Sequence, residues 1–170
     1  MEVDLEIADH VLQGWLSNIY GNSQVFYRSA SIKAKDRIQG FMQHLLAQLS
    51  GYDVTTYVMG LDELVYFHPI EKQRALDLFV PWLQLFENAH QQSPAFFPVS
   101  AWEWVNSDDI NKANLKFIGN PFVGIAERSD PYISADYVDL YACEHAFCDW
   151  ATRLLKPIAQ LGQEQKYADS

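Results

Sequence analysis

Few residues of this chain are of a type and spacing that could carry chemistry. The five histidines, His10, His44, His68, His90 and His145, are scattered along it, with no zincin helix spacing and no paired CxxC. Cys143, His145, Cys148 and Asp149 stand close in sequence. On a helix, however, His145, Cys148 and Asp149 share one face while Cys143 points away, so at most three ligands converge. A small buried cysteine next to an exposed His-Asp pair at i, i+4 is the favoured reading, and no metal is expected. Residues five apart lie about 140° apart around a helix, so a bridge between the two cysteines is not expected either. There is no GxSxG elbow, no phosphate-binding glycine loop and no dinucleotide fingerprint, hence no cofactor.

Contact with phosphate is the next chemistry to weigh. The only basic cluster is Lys33, Lys35 and Arg37, with Arg28 upstream, and a phosphate-facing patch there competes with an ordinary solvated first helical turn. Against it stands the overall balance of 22 acidic to 12 basic residues, a net charge of −10. Such a surface repels nucleic acid, whose sequence-independent affinity comes from Lys and Arg neutralising phosphates. The aromatic set Phe96, Phe97, Trp102 and Trp104 is of the kind that stacks on bases. Its neighbours are Glu103, Asp108 and Asp109, which favours packing in a core or at a subunit interface.

The elements that must position these residues can be read from hydrophobic period. Val3, Leu5 and Ile7 alternate with acids, a half-buried strand. Val11 to Tyr20 and Gln24 to Arg28 flank the turn formers Gly21-Asn22-Ser23, so a three-stranded antiparallel meander is predicted. From Lys33 the period changes to that of a helix, with Ile38, Phe41, Met42, Leu45, Leu46 and Leu49 on one stripe and Gly51 as its stop. Strands at Val54 to Met59 and Glu63 to Phe67 follow, then a helix from Pro69 to about Ala89, with Pro81 inside it.

Ser100-Ala101-Trp102-Glu103 has the form of a capping box for a short helix, and another helix is expected from Asp108 to Ile118. Asn120 to Pro131 reads as a loop. A last helix, capped by Ser134 or Asp136, would bury Leu140, Phe147, Ala151, Leu154 and Leu155. The expectation is one α/β domain over residues 1–162 with a frayed tail at 163–170. With no apolar run near about 18 residues and no basic leader, the chain reads as soluble and cytoplasmic.

The runs Gly14-Trp15-Leu16, Phe26-Tyr27-Arg28, Lys33-Ala34-Lys35-Asp36-Arg37, His44-Leu45-Leu46 and Ser50-Gly51 occur in that order. The stretches Phe96 to Trp104 and Glu127-Arg128-Ser129-Asp130-Pro131-Tyr132 come later. This ordered set resembles the C-terminal domain of the exodeoxyribonuclease V gamma chain, RecC, over about residues 12 to 158. The resemblance implies a restriction-endonuclease-like (PD-(D/E)XK-type) core, a small mixed sheet covered by helices. In active nucleases of that kind an Asp on the middle strand and an acid-x-Lys run on the third hold Mg²⁺ and activate water. Here Ser17 falls at the first position and Phe26 and Arg28 at the others, and no Asp or Glu occurs between Asp9 and Asp36.

The resemblance therefore implies a domain that is nuclease-like without being a nuclease, in a helicase-nuclease that processes double-strand breaks for recombination. Its implied partners are RecB and RecD, with RecD favoured for this domain, and DNA within the complex. Family members are many times longer, so a fragment or truncated reading frame is expected. Candidate phosphate contacts are Arg28, Lys33, Lys35 and Arg37, and candidate interface residues are Phe96, Phe97, Phe122, Val123 and Ile125. A divergent metal-dependent nuclease and an independent protein-interaction domain are the alternatives.

Overall fold

The first extended run does not remain one strand. In the computed structural model, which describes residues 1–119 and 126–167, Asn18 takes a left-handed φ of 60°, a conformation asparagine tolerates better than most side chains. The chain turns there. β1 (Glu2–Ile7) and β2 (His10–Trp15) consequently pair only with each other, while β3 (Ile19–Tyr20) opens a second sheet. The predicted meander is replaced by two antiparallel hairpins, each closed by two residues, Ala8-Asp9 and Gly21-Asn22. Gly21 holds φ 63° at the first turn position, where glycine carries no Cβ penalty.

The second sheet has the order β3-β4-β5-β6-β7, with β4 (Ser23–Tyr27), β5 (Thr55–Met59), β6 (Glu63–Phe67) and β7 (Gln163–Lys166). β4 and β5 run parallel and the other pairs antiparallel. A parallel pair needs a crossover, and α1 (Ala34–Leu49) supplies it. Phe41, Leu45 and Leu49 are buried as the stripe requires, whereas Ile38, Met42 and Leu46 are half-buried. Gly51 ends the helix at φ 81°. The frayed tail is corrected in its first half: Gln163–Lys166 pairs with β6 from Tyr66↔Gln163 to Glu63↔Lys166. The strand is polar throughout, so it carries no period that would announce it.

Two compact units result, Met1–Pro81 with Gln160–Ser170, and Trp82–Ala159. The first holds both sheets and α1. The second is helical, with α3 (Pro98–Ser107), α4 (Ile110–Ile118) and α5 (Pro131–Asp136). α2 (Lys72–Gln91) and α6 (Glu144–Leu161) each contribute residues to both units. Phe97, Ala101, Ala113, Phe117, Leu140, Phe147, Ala151, Leu154 and Leu155 are all buried in the second unit.

Two helix starts differ from expectation. α3 begins at Pro98, whose missing N–H costs nothing at a first helical position, so Ser100 lies inside the helix and is not its cap. Pro131 likewise opens a separate α5 capped by Asp130, and α6 starts only at Glu144, so neither Ser134 nor Asp136 caps the last helix. No helix among the described residues is long and apolar enough to cross a membrane.

Candidate functional site

Of the residues singled out by the sequence, Phe26 and Arg28 meet at the end of β4. Gln24 and Phe26 alternate with Val25 and Tyr27, and their register partners on β5 are Thr56 and Val58, so these four share the face that α1 covers. Between β3 and β4 the register pairs Ile19 with Gln24, and Val25 N–H donates to the Asn18 carbonyl at 2.9 Å. Ser17 lies before the paired part of β3, outside that register. Ser17 is exposed and Phe26 half-buried. A cavity of about 150 Å³ opens here, lined by Asn18, Phe26, Tyr27, Arg28, Asp36, Gln39, Gly40 and Val58.

The electrostatics of this cavity are closed on themselves. Its lining contains one carboxylate, Asp36, which accepts from Arg28 Nη1 at 2.5 Å and from Lys33 N–H at 2.8 Å. A hard divalent cation wants several free oxygen ligands. Phe26 offers none, and the one carboxylate, Asp36, already gives its Oδ2 to both Arg28 and Lys33. Gly40 is what lets α1 lie so near the sheet: a Cβ there would stand 2.3 Å from Val58 Cγ2.

Beneath the cavity runs a buried polar chain. Gln24 Nε2 donates to the Ser17 carbonyl at 3.2 Å, which fixes the amide so that its Oε1 accepts from Thr56 Oγ1 at 3.2 Å. Thr56 Oγ1 then accepts from His44 Nδ1 at 3.0 Å. All three side chains are fully or almost fully buried. Burial lowers the His44 pKa to about 4, opposed by the backbone of His68 and reinforced by that residue's charge.

The basic cluster does not act as one patch. Arg37, a candidate phosphate contact, is corrected to an internal residue: it is buried, and donates to Glu63 on β6 and to Glu164 on β7, each at 2.6 Å. Position 37 falls on the sheet side of α1, where a guanidinium needs internal carboxylates. Arg28 is committed to Asp36. Lys33 and Lys35 are exposed.

Of the candidate interface residues, Phe97 is corrected to a core residue, 2% exposed and in ring contact with Phe117, Tyr137 and Phe147. Phe96 is half-buried, edge-on to Trp82. Phe122, Val123 and Ile125 lie outside the described residues. Cys143 sits in a short turn before α6 and Cys148 within α6, both free, with burial pushing both thiols up. Among the described residues no cluster of three or more His, Cys, Asp or Glu is placed to hold a metal.

Glu127 was not legible as a functional position. Its carboxylate accepts from Val99 N–H at 2.8 Å, Ser100 N–H at 2.9 Å and Ser100 Oγ at 2.6 Å. It therefore caps α3 from the short 3-10 turn Glu127–Ser129, a negative charge placed at a helix N-terminus. Its only sequence signal was membership of the run Glu127 to Tyr132.

The family model of the RecC C-terminal domain matches residues 1–109. The match covers every strand but β7 and ends at Asp109, the cap of α4. A search of curated proteins returned no match. With well over half of its length matched, this chain belongs to the RecC C-terminal domain family.

Proposed function

We propose that this chain is a non-catalytic domain of a RecBCD-type helicase-nuclease acting in double-strand-break repair and recombination, and that it works through contacts with RecB and RecD and by shaping the DNA path. On this reading residues 1–162 make one RecC-type domain whose sheet is a restriction-endonuclease-like core without its active site. The observation that supports it is the cavity at the end of β4, whose lining holds Phe26 and a single carboxylate, Asp36, that Arg28 engages. Lys33 and Lys35 remain as candidate phosphate contacts within the assembly, too few to hold DNA alone at a net charge of −10. Phe96, Phe122, Val123 and Ile125 remain candidates for the partner interface.

The test has two arms. The purified chain is incubated with linear duplex DNA in Mg²⁺ or Mn²⁺, and no cleavage is expected; metal-dependent cleavage abolished by Asp36→Asn would replace this reading with a divergent nuclease. Co-expression with RecB and RecD is expected to give a stable complex, and failure to co-purify would leave an independent interaction domain.

A further inference from the structure

The hairpin β1–β2 leaves one strand edge open and uncharged. Met1 and Leu16 exchange both backbone bonds, Met1 N to the Leu16 carbonyl at 2.8 Å and Leu16 N–H to the Met1 carbonyl at 2.7 Å. In an antiparallel pair such doubly bonded positions alternate. Leu12 and Gly14 therefore turn their backbone groups toward β1, while Val11, Gln13 and Trp15 turn theirs away from it. Among the described residues no strand pairs on that side. Val11 is 67% and Trp15 76% exposed.

Along the same edge runs a groove of about 250 Å³, lined by Val3, Leu12, Trp15, Leu16, Leu46 and Phe79 together with Gln13, Gly14 and Gln43. Free strand edges are ordinarily blunted by Lys, Pro or a bulge. β2 carries none of these. The adjoining β1 puts Glu2, Asp4 and Glu6 opposite Trp15, Gln13 and Val11, so the outer face of the hairpin is uncharged along β2 and acidic along β1, with Gln13 Nε2 donating to Asp4 Oδ1 at 3.1 Å.

We propose that the open edge of β2 receives an extended segment of a partner protein by β-augmentation, the segment alternating apolar with Lys or Arg side chains. The outward N–H and C=O groups of Val11, Gln13 and Trp15 supply the ladder. The apolar side chains enter the groove, and the basic ones lie over Trp15 and reach the carboxylates of β1, about 10 Å away at two strand spacings. Charge selects the occupant: the acidic β1 beside the edge favours a segment that carries basic side chains, and β2 of a second copy, His10–Trp15, would bring neither Lys nor Arg to it. The proposal rests on the RecC-type reading only for the source of the segment.

The probe is a fluorescent synthetic peptide of about eight residues, alternating valine and lysine, titrated into the full chain and followed by anisotropy and residue-resolved amide exchange. Saturable binding is expected, weakened at least about tenfold by Trp15→Ser and by Gln13→Pro, the latter removing one outward N–H. A valine-glutamate peptide should not bind. The amides of Val11, Gln13 and Trp15 should exchange fast in the free chain and slow on binding, with Leu12 and Gly14 slow throughout. No binding, equal binding of both peptides, or odd-position amides that stay fast in the complex would each overturn the proposal. If the peptide binds but the chain does not co-purify with RecB and RecD, the assembly reading fails and this one stands; the converse outcome sinks this one alone.

Discussion

Arg28, the residue that follows β4, and Asp36 in the first turn of α1 are joined at 2.5 Å, and both line the cavity at the end of that strand. Asp36 does two jobs, since the carboxylate that neutralises Arg28 also accepts from Lys33 N–H at the start of the helix. Both side chains keep part of their surface in water, so the ion pair itself contributes little and the helix-start contact most.

Asp36→Ala is therefore expected to cost about 1–2 kcal/mol and Arg28→Met less than about 1 kcal/mol in urea unfolding. Equal losses for the two variants would mean that the ion pair, not the helix start, is what Asp36 provides.

Arg37 and Glu63 present the opposite case, a pair 8% and 11% exposed with guanidinium and carboxylate at 2.6 Å. Removing one partner leaves a buried charge unmatched. Arg37→Leu is expected to lose about 3–5 kcal/mol, while the double replacement Arg37→Leu with Glu63→Leu recovers most of it, the charges having vanished together. A double-mutant cycle in guanidinium chloride checks this. Additive losses would show that the two side chains act independently.

The parts of the fold that follow hydrophobic period were legible in the sequence. α1, β5 and β6 fall within a residue or so of expectation because each carries its own repeat and its own stop, Gly51 for the helix and Gly60-Leu61-Asp62 between the strands. What escaped was set by single residues or by distant partners. Asn18 breaks a run read as a single strand, although Ser17-Asn18 within it is a pair of turn-forming residues. β7 is four polar residues, recruited by pairing with β6 and by Glu164 meeting Arg37. Arg37 looked like a surface cation because its neighbours Lys33 and Lys35 are; only the helical phase, which turns position 37 toward the sheet, distinguishes it. At the candidate site the engagement of Asp36 by Arg28 needed the fold.

Gly40 tests how closely α1 must approach the sheet. In a helix interior alanine is ordinarily favoured over glycine by up to about 1 kcal/mol. Here a methyl group would stand 2.3 Å from Cγ2 of Val58, a buried β-branched side chain that is stiff at χ1. Gly40→Ala is thus expected to destabilise by about 1–3 kcal/mol, read as a lowered Tm. Gly40→Ala with Val58→Ala should regain helix stability relative to Val58→Ala alone. A stabilised single variant would mean that α1 moves off the sheet without cost.

His44 predicts how stability depends on pH. The folded chain holds its imidazole at a pKa of about 4 because burial disfavours the cation, whereas the unfolded chain titrates near about 6.5. Between those values the unfolded state binds more protons than the folded one, so stability rises with pH across the window. The contribution is complete above about pH 6.5 and is lost progressively as pH falls toward about 4, in total on the order of 3 kcal/mol. His44→Gln retains a side-chain donor for Thr56 but cannot titrate. Urea unfolding of both proteins from pH 7 down to about 5, above the range where carboxylates dominate, should give a steeper fall for the parent than for the variant. Parallel curves would mean that His44 takes up its proton in the fold as readily as in the unfolded chain, so that burial does not disfavour its cation.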